Sequence, residues 1–248
     1  MIVVSSFKEL NLLPSGDDRD QDRSEDDDTE SAHLDGGVEP MSKVITALST
    51  SVDGYITGPD PSPEQALGRG GKPLFDWYFD GDVPSQVFEG FRLSAESARV
   101  FDQVAGRVGA VIASRRTYDH SNGFGGDGGP HPTAPLVVLS HRPPPPGATQ
   151  RFAADIEEAV EIASRLAGDR DVGLQGGQTT AAAIAAGLLQ EVIVHQVPIL
   201  LGGGTPLFPQ FPLAHELSQV EVVAAPGVTH LHYALTPARP RGDEERSQ

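Results

Sequence analysis

Apolar and β-branched residues occur in short runs that are separated by polar and glycine-rich segments. Five of these runs predict buried strands, at residues 43–51, 108–113, 135–140, 171–174 and 191–201. The last run is almost continuously apolar, which is typical of a strand whose sheet is covered on both faces.

Helical spacing of apolar positions lies between these strands. It predicts a helix over residues 85–105, in one piece or two, and a second helix over 155–167 with Asp155 as its N-cap. An alanine-rich stretch at 180–186 predicts a third helix.

The C-terminal part of the chain changes pattern. Residues 218–225 and 228–235 alternate with period two on either side of Pro226-Gly227, which predicts an antiparallel hairpin. The whole order predicts an α/β fold of three layers, in which helices cover both faces of a mostly parallel sheet and the hairpin forms one edge.

Charge divides the chain into parts. The 248 residues carry a formal charge of −17, and residues 1–40 contribute 12 acidic and 3 basic side chains. Residues 17–30 contain no apolar side chain, so we expect residues 1–40 to be a disordered acidic leader. The predicted folded unit is 41–236, followed by a polar tail at 237–248. The leader is either a solvated extension ahead of a true start at Met41, or a tail that binds a partner.

Composition excludes several classes of protein. The chain has no cysteine, so it has no disulfide framework, thiolate metal site or cysteine nucleophile. No apolar run is long enough to span a membrane, no secretory signal is present, and the acidic balance argues against nucleic-acid binding. We therefore expect a cytoplasmic protein that binds a small molecule, and the histidine spacing predicts no metal site.

Three predicted strands end in polar or glycine-rich turns that suit a phosphate ligand. Arginine pairs, hydroxyls and bare backbone N–H groups at the start of a helix all bind phosphate oxygens. Taken singly, each turn is also consistent with a solvated basic pair, a polar turn or a tight turn. The three turns are Ser114-Arg115-Arg116-Thr117, Ser140-His141-Arg142 and Gly176-Gly177-Gln178-Thr179-Thr180.

The G-x-G-x-x-G spacing occurs at residues 123–128, but in a glycine-rich loop rather than directly after a predicted strand, and no G-K-[ST] loop is present, so the usual Rossmann and P-loop sites are not predicted. The motifs at residues 49–58 (STSVDGYITG), 114–119, 138–142, 175–180 and 187–208 instead resemble, in this order, the dihydrofolate reductase-like reductases. The resemblance is closest to the branch that contains the C-terminal reductase domain of the riboflavin-biosynthesis deaminase/reductase and its stand-alone bacterial relatives. It spans about residues 42–236 and implies a dihydrofolate reductase-like fold.

The resemblance also implies NADPH as the cofactor and assigns residues to its parts. The first turn would hold the 2′-phosphate side, the second would flank the adenine ribose, and the glycine turn would hold the pyrophosphate. These roles fall on Arg115, Arg116 and Thr117, on Ser140, His141 and Arg142, and on Gly176, Gly177, Gln178, Thr179 and Thr180.

The nicotinamide is expected at the end of the first strand. Asp53 and Thr50 are the candidate catalytic residues, although an aspartate before Gly54 is also a common turn former. The remaining candidates contact the cofactor (Ala47, Gly54 and Ile56) or the substrate (Trp77, Gly203 and Thr205). Trp77 has the alternative interpretation of simple hydrophobic packing.

The leading functional hypothesis is an NADPH-dependent reductase of a small heterocyclic or carbonyl substrate, similar to the pyrimidine reductase of riboflavin biosynthesis. Ser114 stands where this family usually has glycine. Glu89 and Glu96 are the only candidates for a carboxylate that grips a pterin ring, which disfavours dihydrofolate reductase proper. The alternatives are that enzyme, or a nucleotide-binding module without catalysis. A homodimer is possible, because relatives are often dimers.

Overall fold

The computed structural model describes residues 42–126, 128–209 and 214–235. The predicted leader and C-terminal tail lie outside these residues, so both stay predictions. Within the described part, every helix is too short or too polar to cross a lipid bilayer.

Ten strands form one large sheet and one small ribbon. In the large sheet, β6-β5-β4-β7-β1-β8 are parallel neighbours, and β10 and β9 extend the β8 edge in antiparallel pairing. The bounds are β1 Val44–Ser51, β2 Val83–Pro84, β3 Arg92–Leu93, β4 Val108–Ser114, β5 Leu136–Leu139, β6 Arg151–Ala153, β7 Asp171–Gln175, β8 Glu191–Val197, β9 Leu217–Ala225 and β10 Val228–Leu235.

Helices cover both faces of the large sheet, as predicted. One face packs against α1 and a buried aromatic 3₁₀ helix, and the other packs against α3 and α4. Their bounds are α1 Ala95–Arg107, α2 Arg115–His120, α3 Ile156–Ala167, α4 Gly177–Ala185 and the 3₁₀ helix Lys72–Tyr78. The prediction of a three-layer α/β fold with a terminal hairpin is therefore confirmed.

The helix predicted over residues 85–105 is wrong in its first half. The structure starts α1 only at Ala95, where the Ser94 hydroxyl accepts the N–H of Ser97. Ahead of this cap, Gly90 adopts a φ of 84°, which interrupts helical geometry. Phe88 and Phe91 are still buried, but they reach the aromatic core from a turn rather than from a helix.

Other ends of strands and helices also differ from their predicted positions. β8 ends at Val197 rather than at residue 201, because Pro198 has no N–H to donate to the sheet. α4 begins at Gly177, three residues before the predicted start. The sequence also gave no sign of β6, a three-residue strand at the sheet edge.

A buried ion network closes the sheet at the amino ends of β7 and β8. Glu191 receives hydrogen bonds from Lys43 at 2.6 Å and Arg107 at 3.0 Å, and Arg107 also binds Asp171. Burial alone would raise the pKa of Glu191, but hydrogen bonds from His232 and Lys43 and the charge of Arg107 lower it to about 2. This network is at the opposite end of the sheet from the predicted site.

Candidate functional site

A cleft of about 740 Å³ lies at the carboxyl ends of the parallel strands. Open α/β sheets bind ligands at this edge. The turns after β4, β5 and β7 and the loops around residues 56–67 and 204–206 line it. The cleft brings together eleven of the predicted residues: Ile56, Arg115, Arg116, Thr117, Ser140, His141, Arg142, Gly176, Gly177, Gln178 and Thr205.

Two of the three arginines are fixed by one carboxylate. Arg115 donates to one oxygen of Asp119 at 2.7 Å, and Arg142 donates to the other at 2.6 Å. Arg115 also donates to the carbonyl oxygen of Pro143 at 2.9 Å, which ties the turn after β4 to the turn after β5. Burial of Asp119 opposes its ionisation, but the hydrogen bonds and charges of Arg115 and Arg142 give it a lowered pKa.

Arg116 differs from its two neighbours. Its side chain is exposed and forms no ion pair with any residue that the structure describes. Burial, and secondly the charge of Arg116, lower the pKa of His120, so this imidazole is neutral at pH 7 and does not add a second charge. Arg116 is therefore the arginine available to an anionic ligand.

The glycine turn after β7 has a geometry that no other residue type fits. Gly176 adopts a φ of 103°, and a Cβ on Gly177 would lie 2.2 Å from the carbonyl oxygen of Pro206. No side chain caps α4, so the first N–H groups of this helix are left for a ligand. The hydroxyls of Thr179 and Thr180 are buried and donate to carbonyl oxygens of the turn, so they hold its shape.

A family model described as the RibD C-terminal domain matches residues 42–231. The chain belongs to the RibD C-terminal domain family. The match includes strands β1, β4, β5 and β7 and the three turns that line the cleft. No curated protein matches the chain significantly.

Solved structures share the fold of this RibD C-terminal domain. A provisionally named riboflavin biosynthesis protein from Shewanella sp. PV-4 is 22% identical, with a TM-score of 0.54 over 79% of this chain and 99% of that chain. RibD from Acinetobacter baumannii is 16% identical, with a TM-score of 0.51 over 79% and 59% of the two chains.

A third neighbour, from Thermotoga maritima, is a diaminohydroxyphosphoribosylaminopyrimidine deaminase/5-amino-6-(5-phosphoribosylamino)uracil reductase. It is 11% identical, with a TM-score of 0.50 over 79% of this chain and 57% of that chain. The chain therefore spans less than two thirds of the last two proteins. These likenesses confirm the predicted dihydrofolate reductase-like fold.

Several predicted residues of this RibD C-terminal domain lie outside the cleft lining. Thr50 and Ala47 are buried in β1, and Gly54 donates its N–H to the Ser51 carbonyl oxygen in a turn. Gly203 lies in the loop after β8, with Pro59 as its nearest neighbour. Their roles toward a ligand stay predictions.

Asp53 is exposed and binds the loop that follows β8. Its carboxylate accepts the N–H groups of Leu201 at 3.1 Å and Gly202 at 2.7 Å. A hydrogen bond from Ser51, followed by these backbone groups, lowers the pKa of Asp53. The carboxylate is therefore ionised at pH 7 and acts in the structure as an anchor for this loop.

Trp77 lies in the core rather than on the cleft surface. Its ring stacks on Tyr78 with centroids 3.9 Å apart and packs against the buried pair His195 and His230. Its indole N–H donates to the Ser49 hydroxyl at 3.1 Å. The packing alternative describes its position better than a direct contact with a substrate, although its N–H orients a cleft residue.

Ser49 and Gln175 are two of the cleft residues that were missing from the sequence-based candidates. Ser49 is on the same face of β1 as Ile45 and Ala47, and it lines the cleft. Gln175 ends β7, and its buried Oε1 accepts no hydrogen bond within the described structure. The signal for Gln175 was its place directly before the glycine turn, and the signal for Ser49 was the period of two along β1.

Proposed function

We propose that this protein is an NADPH-dependent reductase that transfers hydride to a small heterocyclic or carbonyl substrate. Membership of the RibD C-terminal domain family supports a reductase. The observation that carries the cofactor assignment is the meeting of three turns that suit phosphate at one cleft, where Arg116 forms no ion pair among the described residues and no side chain caps the start of α4.

The residues of the cleft fit a phosphorylated dinucleotide. The Gly176-Gly177 backbone places no side chain beside the first N–H groups of α4, so a pyrophosphate could approach them, and Gly177 also allows the close approach of the Pro206 carbonyl oxygen. Arg116 and the oriented Arg115 and Arg142 supply positive charge for a phosphate monoester. Ser140 would hold a ribose edge next to them.

When bound, the reduced nicotinamide supplies the hydride. The protein binds and orients, and it excludes water: Ile56 and Leu48 give the inner cleft an apolar wall, and Ser49 and Thr205 offer polar contacts beside it. Asp53 holds the loop after β8 against the turn that follows β1.

Direct titration tests the cofactor assignment. NADPH should bind the full chain with micromolar affinity, detected by its fluorescence. Arg116→Ala should weaken NADPH at least tenfold and leave the much weaker NADH nearly unchanged, because only NADPH carries the 2′-phosphate. Arg165→Ala, on α3 outside the cleft and paired with Glu161, is a matched control that should change neither affinity. Equal loss of both nucleotides in Arg116→Ala, or no binding of either, would contradict the proposal.

A nucleotide-binding module without catalysis is the second candidate. It is favoured by the positions of Thr50 and Asp53, because neither predicted catalytic side chain lines the cleft. Dihydrofolate reductase proper is disfavoured, since Glu89 and Glu96 are both exposed. A screen of NADPH oxidation with pyrimidine, pteridine and carbonyl compounds distinguishes the reductase from the module without catalysis.

A further inference from the structure

Positive charge in the cleft is confined to one end. The sheet order places β5 and β4 beside each other, followed by β7 and β1. All three arginines that line the cleft, Arg115, Arg116 and Arg142, come from the turns after β4 and β5. The cofactor assignment above uses these arginines for the phosphate monoester and the glycine turn after β7 for the pyrophosphate.

The other end, over β1 and the last residue of β7, contains no arginine among the described lining residues and is largely apolar, and we call it the neutral end. Phe75 and Leu67 form its wall, and Ser49 and Gln175 are its polar groups on the sheet. The Ser49 hydroxyl is buried and accepts the Trp77 N–H, so it is a neutral polar group of fixed position. The side chain of Gln175 is 9% exposed, and its Oε1 lacks a donor among the described residues, so a ligand N–H or O–H would satisfy it.

The charged group nearest to the neutral end is a carboxylate, which repels an anionic ligand. Asp60 is the only charged lining residue outside the turns after β4 and β5. It binds Arg69 at 2.7 Å, and both side chains are well exposed. Arg69 does not line the cleft, so the loop presents a carboxylate to a ligand rather than its guanidinium.

We infer that the neutral end, defined by Ser49, Leu67, Phe75 and Gln175, accepts an uncharged substrate group and has no site for a phosphate. A phosphate carries about −1.5 to −2 charge at pH 7, and its burial without a cation is unfavourable. The substrate therefore differs from the phosphoribosyl compound in the name of the Thermotoga neighbour. This inference rests on the proposed function, because it assigns the arginine end to the cofactor.

Inorganic phosphate is the probe for the test, because its binding does not require knowledge of the substrate. Binding to the full chain is measured by phosphorus NMR line broadening and by calorimetry. In the free protein, phosphate should bind at the arginine end and be weakened at least tenfold by Arg116→Ala. In the presence of saturating NADPH, phosphate should no longer bind. Phosphate that still binds the NADPH complex with comparable affinity would overturn the inference, including the case in which a cation outside the described residues supplies the site.

Ala66→Arg is the positive control, because Ala66 lines the cleft in the loop opposite the arginine turns. This variant should gain phosphate binding in the NADPH complex by tenfold or more, and Ala66→Gln should not. If NADPH itself fails to bind, the proposed function fails, but binding to the free protein still decides the inference: if 5-amino-6-(5-phosphoribosylamino)uracil binds the double variant Arg116→Ala/Arg142→Ala tenfold more tightly than its dephosphorylated form does, the inference is overturned. Reduction of 5-amino-6-(5-phosphoribosylamino)uracil tenfold faster than its dephosphorylated form would also overturn it.

Discussion

The cleft contains three arginines, Arg115, Arg116 and Arg142, and the structure gives them different contacts. Asp119 orients two of them and offsets part of their charge, whereas Arg116 keeps its charge exposed at the cleft. A carboxylate that holds two guanidinium groups reduces the entropy that they would lose on binding a ligand. Asp119 thus prepares the site without contacting the proposed cofactor, which short motifs alone do not reveal.

Substitutions of Asp53 test whether this residue acts in catalysis or anchors the loop after β8. Asp53→Asn keeps an oxygen that accepts the N–H of Leu201 or Gly202, so it should retain NADPH affinity and most NADPH oxidation. Asp53→Ala removes both hydrogen bonds and should make the loop after β8 more sensitive to limited proteolysis. A normal fold with a hundredfold loss of turnover in Asp53→Asn, and a changed pH profile, would support the catalytic prediction instead.

At the scale of elements, the start of α4 depends on a glycine. Gly177→Ala places a methyl group against the Pro206 carbonyl oxygen and should separate the helix from this loop. We expect a loss of about 1–3 kcal/mol in unfolding free energy, typical of overpacking, and at least tenfold weaker NADPH binding. Chemical denaturation and fluorescence titration measure the two effects.

Gly106→Ala is the matched control for this substitution. It lies in α1 with open space around the added methyl group, so it should be neutral or stabilising by about 0.5–1 kcal/mol. NADPH affinity should not change. If Gly177→Ala and Gly106→Ala had the same unfolding free energy and the same NADPH affinity, neither property would depend on the close backbone approach at Gly177.

The elements also show how far sequence patterns extend. β1, β4, α3 and the terminal hairpin were predictable because their apolar period continues over many residues and ends at clear caps or turns. The stretch 85–94 was not, because its phenylalanines have helical spacing but pack as separate anchors around Gly90. The meeting of the three turns was predictable, because the ends of parallel strands lie at one edge of a sheet. The positions of Trp77 and Thr50 outside the cleft lining were not, because they depend on side-chain direction and packing.

At the scale of the molecule, acid stability depends on the network around Glu191. Its pKa is lowered from 4.5 to about 2 in the folded state, so its stabilising contribution is complete above about pH 4.5 and is lost as the pH falls towards 2. The contribution is at most about 3 kcal/mol. Glu191→Gln should lower stability at pH 7 and remove this part of the pH dependence in urea unfolding.

Glu161→Gln is the control, because Glu161 forms an exposed pair with Arg165 within α3, and its side chain is 69% exposed. The substitution should change the unfolding free energy by less than about 0.5 kcal/mol, both at pH 7 and at the acid pH where Glu191 is protonated. If both variants gave the same pH dependence, acid unfolding would not depend on the buried network.

Net charge sets the last prediction, which concerns the full chain. Deleting residues 1–40 changes the formal charge from −17 to −8, and NADPH is itself an anion. The shortened protein should therefore bind NADPH a few-fold faster at low salt, and the difference should vanish near 1 M salt, where the Debye length is about 3 Å. Stopped-flow fluorescence measures the rates, and a full-length chain with the leader carboxylates replaced by amides should behave like the deletion. A lower affinity or melting temperature after deletion would show that the leader contacts the folded unit, because repulsion alone acts on the approach of the ligand and not on the packing of the sheet.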